Sequence, residues 1–299
     1  MTATLEIGGH RIEVSHADKL LYPDDGYRKQ DVVEYYRAVA DTMVGHLRGK
    51  PLTMRRFPDG IGSDGFFQKE APEHFPDWVR RVPVPQRGAP SPVHHVVVDD
   101  AATLLYLANQ GCVEFHIGLS RVDDLERPVL AVLDLDPPDG FRIGELRSVV
   151  RRTCERFHDA GLSPHVQATG GTGFHVAAPL RGRRDFDEVR AAMRELADEA
   201  SRDEPRRLTT EQRKDKRGDR IFLDTNRNAY GQTVIAPYSL RARPGAPAAT
   251  PLDPGELGRA GPRDHGLANM ARRLAQKPDP WRNIEDPRTG SDFPARTGR

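Results

Sequence analysis

Apolar and polar positions alternate through the opening stretch MTATLEIGGHRIEV, with two glycines at its centre, which predicts a β-hairpin turning at Gly8-Gly9. A turn at Pro23-Asp24-Asp25-Gly26 follows. The period then changes. In KQDVVEYYRAVADTMVGHL, the residues Val32, Tyr36, Val39, Met43 and Leu47 fall on one face, and the spacing predicts an amphipathic helix. PLTMRRF reads as a strand, and PDGIGSDGFFQKEAPEHFPDW as a long loop carrying an aromatic pair. HHVVV is expected as a strand and DDAATLLYLANQ as a helix begun by acidic residues. In CVEFHIG, Val113, Phe115 and Ile117 alternate with Glu114 and His116, so the histidine is expected to face away from their core.

A second half starts at VLAVLDLDP. A helix is predicted over Ile143–Ala160, with Ile143, Leu146, Val150 and Phe157 inward and a stop at Gly161. HVQAT and FHVAAPL look like two strands joined by a tight glycine-rich turn. The helix FDEVRAAMRELADEAS comes next, then the polar loop RDEPRRLTTEQRKDKRGDR, then the strands IFLDT and QTVIAPYSL. From Arg243 onward Pro, Gly and Ala dominate, and 281–299 are expected as a weakly ordered tail. Strands and helices interleave without internal repeats, so the fold class is mixed α/β. One compact domain over 1–280 is expected, with an N-terminal module over about 1–125 and a second over about 126–280.

Composition narrows the class. With 37% hydrophobic and 30% charged residues in 299, the chain can bury a substantial core while keeping a polar surface. A net charge of +1 excludes a global polycation but not local basic patches. Cys112 and Cys154, the two cysteines, suffice for neither a disulfide framework nor a zinc site. No signal-peptide pattern opens the chain, and no apolar run nears the roughly 18 residues of a spanning helix. A cytoplasmic protein without a membrane partner is expected.

The chemistry concentrates in VLAVLDLDPPDG. Residues i and i+2 of a strand share a face about 6.5–7 Å apart, so Asp134 and Asp136 can reach one cation cluster. Oxygen ligands of this kind suit Mg²⁺ or Mn²⁺. Two such ions roughly 3.5–4 Å apart activate an attacking oxygen and stabilise a leaving one in phosphoryl transfer. Asp224 in RIFLDTNRN ends another apolar strand in the same way and supplies a third carboxylate. Nucleases and sugar-nucleotide transferases use similar pairs, and two aspartates before Pro137-Pro138 also suit a plain turn.

ATGGTGFHVAAPL places Gly170, Gly171 and Gly173 between two strands. Such glycines let backbone N–H groups turn toward an anion, with Thr169 and Thr172 adding hydroxyls and His175 a ring donor. A hairpin whose glycines serve only the turn is the competing reading. Between Arg206 and Arg220 lie seven Lys/Arg and three Asp/Glu, a modest basic excess that suits a solvated loop or a phosphate clamp.

The ordered set of D-x-D, glycine turn ending in G-x-H, and third Asp before NAYGQTVIAPYSLRAR resembles the polymerase domain of bacterial DNA ligase D, within the archaeo-eukaryotic primase superfamily. The resemblance runs from ADKLLYPDDGYRKQDVVEYY through RGKPLTMRRFPDG, GFFQKEAP and VEFHIG to APYSLRAR. It implies a primase fold with a curved mixed sheet flanked by helices. It implies template-directed nucleotide addition at DNA breaks and short gaps, favouring ribonucleotides and Mn²⁺ or Mg²⁺ in a two-metal site. By the same resemblance, Asp134, Asp136 and Asp224 bind metal, while Thr169, Thr172 and His175 form the triphosphate turn. His116 faces the incoming nucleotide, and Arg55, Arg217 and Arg241 surround it. Lys19 and Lys29, with His16, read a 5′-phosphate on downstream DNA. Phe66 and Phe67 support the template. The implied partners are gapped or broken DNA bearing a 5′-phosphate, NTP or dNTP substrates, Ku and a separate DNA ligase.

Three residues depart from the family's usual pattern: Thr172 where lysine is common, His16 where asparagine is frequent, and Thr225 in place of an aromatic. At 299 residues a stand-alone relative is expected. A two-metal nuclease on the same acids, and a DNA-end-binding scaffold with a vestigial site, stand as alternatives.

Overall fold

A computed structural model describes residues 3–286, 290, 291 and 293. The opening hairpin pairs Ala3–Ile7 with His10–Val14, and Gly8 and Gly9 turn it with φ of 58° and 79°. Helix α1, Lys29–Leu47, follows the predicted bounds. Asp31 accepts from the Arg28 N–H (2.7 Å), which satisfies a donor at the helix start and sets a carboxylate against the positive end of the dipole. Its apolar face, Val32, Tyr36, Val39, Met43 and Leu47, is fully buried. The Tyr36 hydroxyl donates to the Val113 carbonyl (2.6 Å) and accepts from the Leu240 N–H (3.0 Å), tying α1 to residues far along the chain.

Two six-stranded sheets form the core among the described residues. In the first, Thr233–Ile235, Cys112–Gly118, Leu52–Arg56, Val93–Val96 and Arg81–Val84 lie in that order, and Phe66–Gln68 also pairs with Leu52–Arg56. Val113, Phe115 and Ile117 face a core shared with α1 and helix α2, Ala101–Asn109. The second sheet runs Leu208–Thr209, Ile221–Asp224, Leu130–Asp136, Phe174–Pro179, His165–Ala168, Thr250–Leu252. One of its faces, with Ala131, Leu133, Leu135, Val176 and Leu223, is covered by helices α3, Ile143–Asp159, and α4, Phe186–Asp203. Its other face turns Leu130, Val132 and Ala177 into the core of the first sheet. The mixed α/β fold with helix-flanked sheets is the one expected, divided over two sheets.

Three expectations need correction. Phe66–Gln68, expected in a loop, is a strand in register with Leu52–Arg56, because an available neighbouring strand edge decides pairing where the local pattern does not. The Pro/Gly/Ala-rich region is built: it holds the Thr250–Leu252 strand and helix α5, Met270–Gln276. Ile143, expected inward at the start of α3, is 37% exposed; where the expected tail is described, Trp281, Ile284 and Phe293 are buried and Ser291 bridges to Leu180. Residues 287–289, 292 and 294–299 of that expected tail lie outside the described residues. No described helix is long and apolar enough to cross a membrane.

Candidate active site

Register places the acids. Asp134 lies directly opposite Asp224 on one neighbouring strand and opposite His175 on the other. Opposed residues share a face, as do positions i and i+2, so Asp134, Asp136, Asp224 and His175 all project from the face away from α3 and α4. The Asn228 side chain fixes the bottom of this arrangement. It accepts from the Val132 N–H (2.8 Å) and donates to the Val132 carbonyl (2.6 Å), continuing the ladder beyond Asp224.

Each carboxylate has polar company, mostly at long range. The Arg227 Nε lies 3.7 Å from Asp134 Oδ2 and 3.5 Å from Asp224 Oδ2. His175 Nε2 stands 3.7 Å from Asp134 Oδ1. Thr172 Oγ1 donates to Asp136 Oδ1 (3.2 Å), and Arg217 Nη1 lies 3.7 Å from Asp136 Oδ2. Burial alone would raise both strand-end carboxyls. At Asp134 the charges of His175, Arg227 and Arg241 more than offset it and hold the carboxyl below its usual range. At Asp136 burial and the Asp134 charge win, and its carboxyl is raised. Two carboxylates working against each other in this way provide a place for a cation.

The glycine turn is shaped by close approach. A Cβ on Gly173 would lie 1.9 Å from the Leu135 carbonyl oxygen, and one on Gly170, whose φ is 66°, would lie 2.8 Å from Arg241 Cγ. Side chains larger than hydrogen cannot occupy either place. Thr169 serves the turn itself: its hydroxyl donates to the Gly173 carbonyl (2.9 Å) and accepts from the Gly171 N–H (3.2 Å). Arginines hold the turn from outside, Arg241 donating to the Thr169 carbonyl (3.1 Å) and Arg263 to the Gly171 carbonyl (2.7 Å).

Arg241 links this turn to the first sheet. Its Nε lies 3.3 Å from Glu114 Oε1. Glu114, 1% exposed, also accepts from Arg55 Nη1 (3.2 Å), His116 Nε2 (2.9 Å) and the Ala242 N–H (2.9 Å). Burial works to raise its carboxyl, but the His116 hydrogen bond and the Arg241 charge hold it well below the usual range. His116 itself is pushed down, first by burial and then by the charges of Arg241 and Arg227, against the pull of Glu114. Its ring meets Phe67 edge-on with centroids 5.4 Å apart, and Arg55 lies 5.2 Å from the Phe67 ring. Phe66 and Phe67 are 45% and 62% exposed, so both rings stand at the surface of their strand.

At the start of α1, the Lys29 N–H donates to the Lys19 carbonyl (2.8 Å) and the Lys19 N–H to the His16 carbonyl (3.0 Å), which gathers these three residues. Lys29 Nζ donates to the Ser15 carbonyl (2.7 Å), while Lys19 Nζ bonds Asp59 Oδ1 (2.7 Å). Burial, with Lys19 nearby, lowers the Lys29 ammonium to about 8. His16 is exposed and holds a left-handed φ of 52°.

Among the described residues, no three His, Cys, Asp or Glu side chains converge tightly enough as they stand to hold a metal ion. The donor set nevertheless fits a hard divalent cation: three carboxylates share one face of neighbouring strands, and two now lean on one arginine.

A family profile described as LigD, primase-polymerase domain, matches residues 28–281. The chain belongs to this family. Its members are nucleotidyltransferases of DNA repair. The multifunctional non-homologous end joining protein LigD of Mycobacterium bovis is 30% identical over 90% of this chain, and that of Pseudomonas aeruginosa 30% over 90%. The bifunctional LigD of Bacillus subtilis is 29% identical over 81%. The chain spans 36%, 32% and 39% of these three relatives. The solved polymerase domain of Mycobacterium tuberculosis ligase D, in complex with DNA, superposes with a TM-score of 0.85 at 28% identity, covering 92% of this chain and 98% of that one.

Against the LigD primase-polymerase pattern, the three departures have structural correlates. Thr172 bonds an acid where a lysine would add charge. Thr225 is buried under the 226–228 turn and gives its carbonyl to Asn228. His16 offers an exposed ring in place of an amide. Sequence reasoning missed Glu114, Arg227 and Arg263. A buried glutamate alternating with hydrophobic residues was the one available signal for the first; the arginines carried none.

Proposed function

We propose that this chain is a metal-dependent, template-directed nucleotidyltransferase that adds nucleotides, preferentially ribonucleotides, at short gaps and breaks in DNA during non-homologous end joining. The observation that carries this reading is the three-acid face beside the glycine turn, joined through Arg241 and Glu114 to His116 and Arg55. Asp134, Asp136 and Asp224 would hold Mn²⁺ or Mg²⁺. Bound divalent ions favour ionisation of a primer 3′-hydroxyl and neutralise charge on the departing pyrophosphate.

The remaining residues bind and orient. Arg241, Arg217 and His175 set positive or donor groups where a triphosphate would lie, with the Gly170–Gly173 backbone beside them. Thr169 acts indirectly here, because its hydroxyl braces the turn. His116, its basicity lowered, would meet the incoming nucleotide as a neutral ring held by Glu114. Exposed Phe66 and Phe67 suit stacking against template bases, each worth roughly 1–3 kcal/mol. Lys19, Lys29 and the α1 N-terminus would receive a 5′-phosphate across the gap. Ku and a separate ligase would complete such a repair reaction.

Primer extension on gapped DNA with Mn²⁺ tests the proposal, with ATP and dATP compared opposite thymine. Longer products with ATP favoured are expected. A clear dATP advantage would remove the ribonucleotide preference, and shortening of labelled DNA without nucleotides would replace the polymerase by a nuclease.

A further inference from the structure

The two arginines beside the acids are held very differently. Arg217 is clamped: Nε donates to the Glu211 carbonyl (3.0 Å), Nη2 to the Gln212 carbonyl (2.9 Å), and its guanidinium lies 3.6 Å from the Phe222 ring centroid. Arg227 touches Asp134 and Asp224 at 3.7 Å and 3.5 Å, beyond good N–H···O range, and its side chain is 41% exposed. Its backbone is fixed all the same. Asn226 N–H donates to Asp224 Oδ1 (2.8 Å), and Asn228 is locked onto Val132. A rigid turn thus presents a loosely held cation between two facing carboxylates.

We propose that Arg227 is a built-in counter-cation of the acid cluster, which holds Asp134 and Asp224 together in the metal-free chain and gives way when a divalent ion binds. The inference rests on the three acids being a metal site. Two carboxylates opposed on adjacent strands repel unless a cation lies between them, and Arg227 supplies one. Arg227 cannot share that space with a divalent cation, because like charges in a partly buried site repel. Arg227 therefore competes for the ligands, and its exposure leaves its side chain room to withdraw. Arg227 acts through the acids and is a positioning residue.

The test is Mn²⁺ titration of the nucleotide-free chain, with free ion followed by electron paramagnetic resonance, in wild type, Arg227→Gln, Arg227→Lys and Asp136→Ala. Removing an exposed competing charge should tighten Mn²⁺ binding roughly two- to fivefold in Arg227→Gln. Arg227→Lys keeps the charge and should stay closer to wild type. Unchanged or weaker binding in Arg227→Gln, while Asp136→Ala still loses affinity against wild type, overturns the counter-cation and leaves the metal site standing. Mn²⁺ binding insensitive to Asp136→Ala overturns the metal site, and the counter-cation with it.

Discussion

Glu114 and the Asp134–Asp136–Asp224 group are both acids on strands beside arginines, yet their surroundings differ in kind. Glu114 is saturated, with Arg55, His116, Arg241 and the Ala242 N–H on its two oxygens. The aspartates have fewer close donors, the Asn226 N–H on Asp224 (2.8 Å) and Thr172 on Asp136 (3.2 Å), and their charged partners Arg227, His175 and Arg217 stand off at 3.5–3.7 Å. A buried carboxylate with a full set of donors is a structural hub, whereas facing carboxylates with loose partners are ready for a stronger cation. The difference teaches that the first sheet uses its acid to order arginines, while the second leaves its acids the loose partners that the proposed metal site requires.

The largest expected effects separate these roles. Asp136→Ala should lower nucleotide addition roughly a thousandfold or more while leaving the melting temperature nearly unchanged. Glu114→Ala should do the reverse in stability, costing about 3 kcal/mol in denaturant unfolding, because Arg55 and Arg241 lose their shared acceptor. If Asp136→Ala destabilised the chain as much as Glu114→Ala, the contrast would collapse.

A second saturated acid sharpens the point. The Arg273 hydrogen bonds hold the Glu256 carboxyl at about 2, against burial, from an ordinary 4.5. A depressed carboxyl contributes stability that is complete above 4.5 and is lost as pH falls toward 2. Melting temperature should therefore drop over that window, and Glu256→Gln should flatten the drop. An unchanged acid profile in Glu256→Gln would remove the pair from this account.

Smaller effects concern the DNA and nucleotide contacts. Lys29, lowered to about 8, loses its positive charge as pH rises through that value, so preference for a gap bearing a 5′-phosphate should weaken there. Comparison of phosphorylated and hydroxyl-ended gaps across that range checks it, and a flat preference would point away from Lys29. Thr172→Lys should lower nucleotide KM by about threefold to tenfold, by adding a cation beside the turn. A rise in KM would mean that the Thr172 bond to Asp136 matters more than the missing charge.

Much of the frame was legible in the chain. The 3.6-residue spacing of Val32, Tyr36, Val39, Met43 and Leu47 defined α1, because burial of one face is what stabilises such a helix. The D-x-D spacing placed Asp134 and Asp136 on one face, and strand register added Asp224. Partners distant in sequence were not legible. Glu114 meets Arg55 from 59 positions away and the Ala242 N–H from 128, and alternation within a strand gives a face but no partner. The Phe66–Gln68 strand was not legible either, because its pairing comes from Leu52–Arg56 rather than from its own pattern. Trp281 and Ile284 were lost in a Pro/Gly-rich composition that gives no periodicity, although tertiary packing buries both.

The central claim is that Asp134, Asp136 and Asp224 work as one unit in nucleotide addition. Extension of a gapped primer with Mn²⁺ should be compared for the three single alanine variants and for the Asp134→Ala/Asp136→Ala double variant. Residues acting as a unit are strongly non-additive, so each single should fall about as far as the double. Full activity in any single variant, or losses that multiply in the double, would contradict the account.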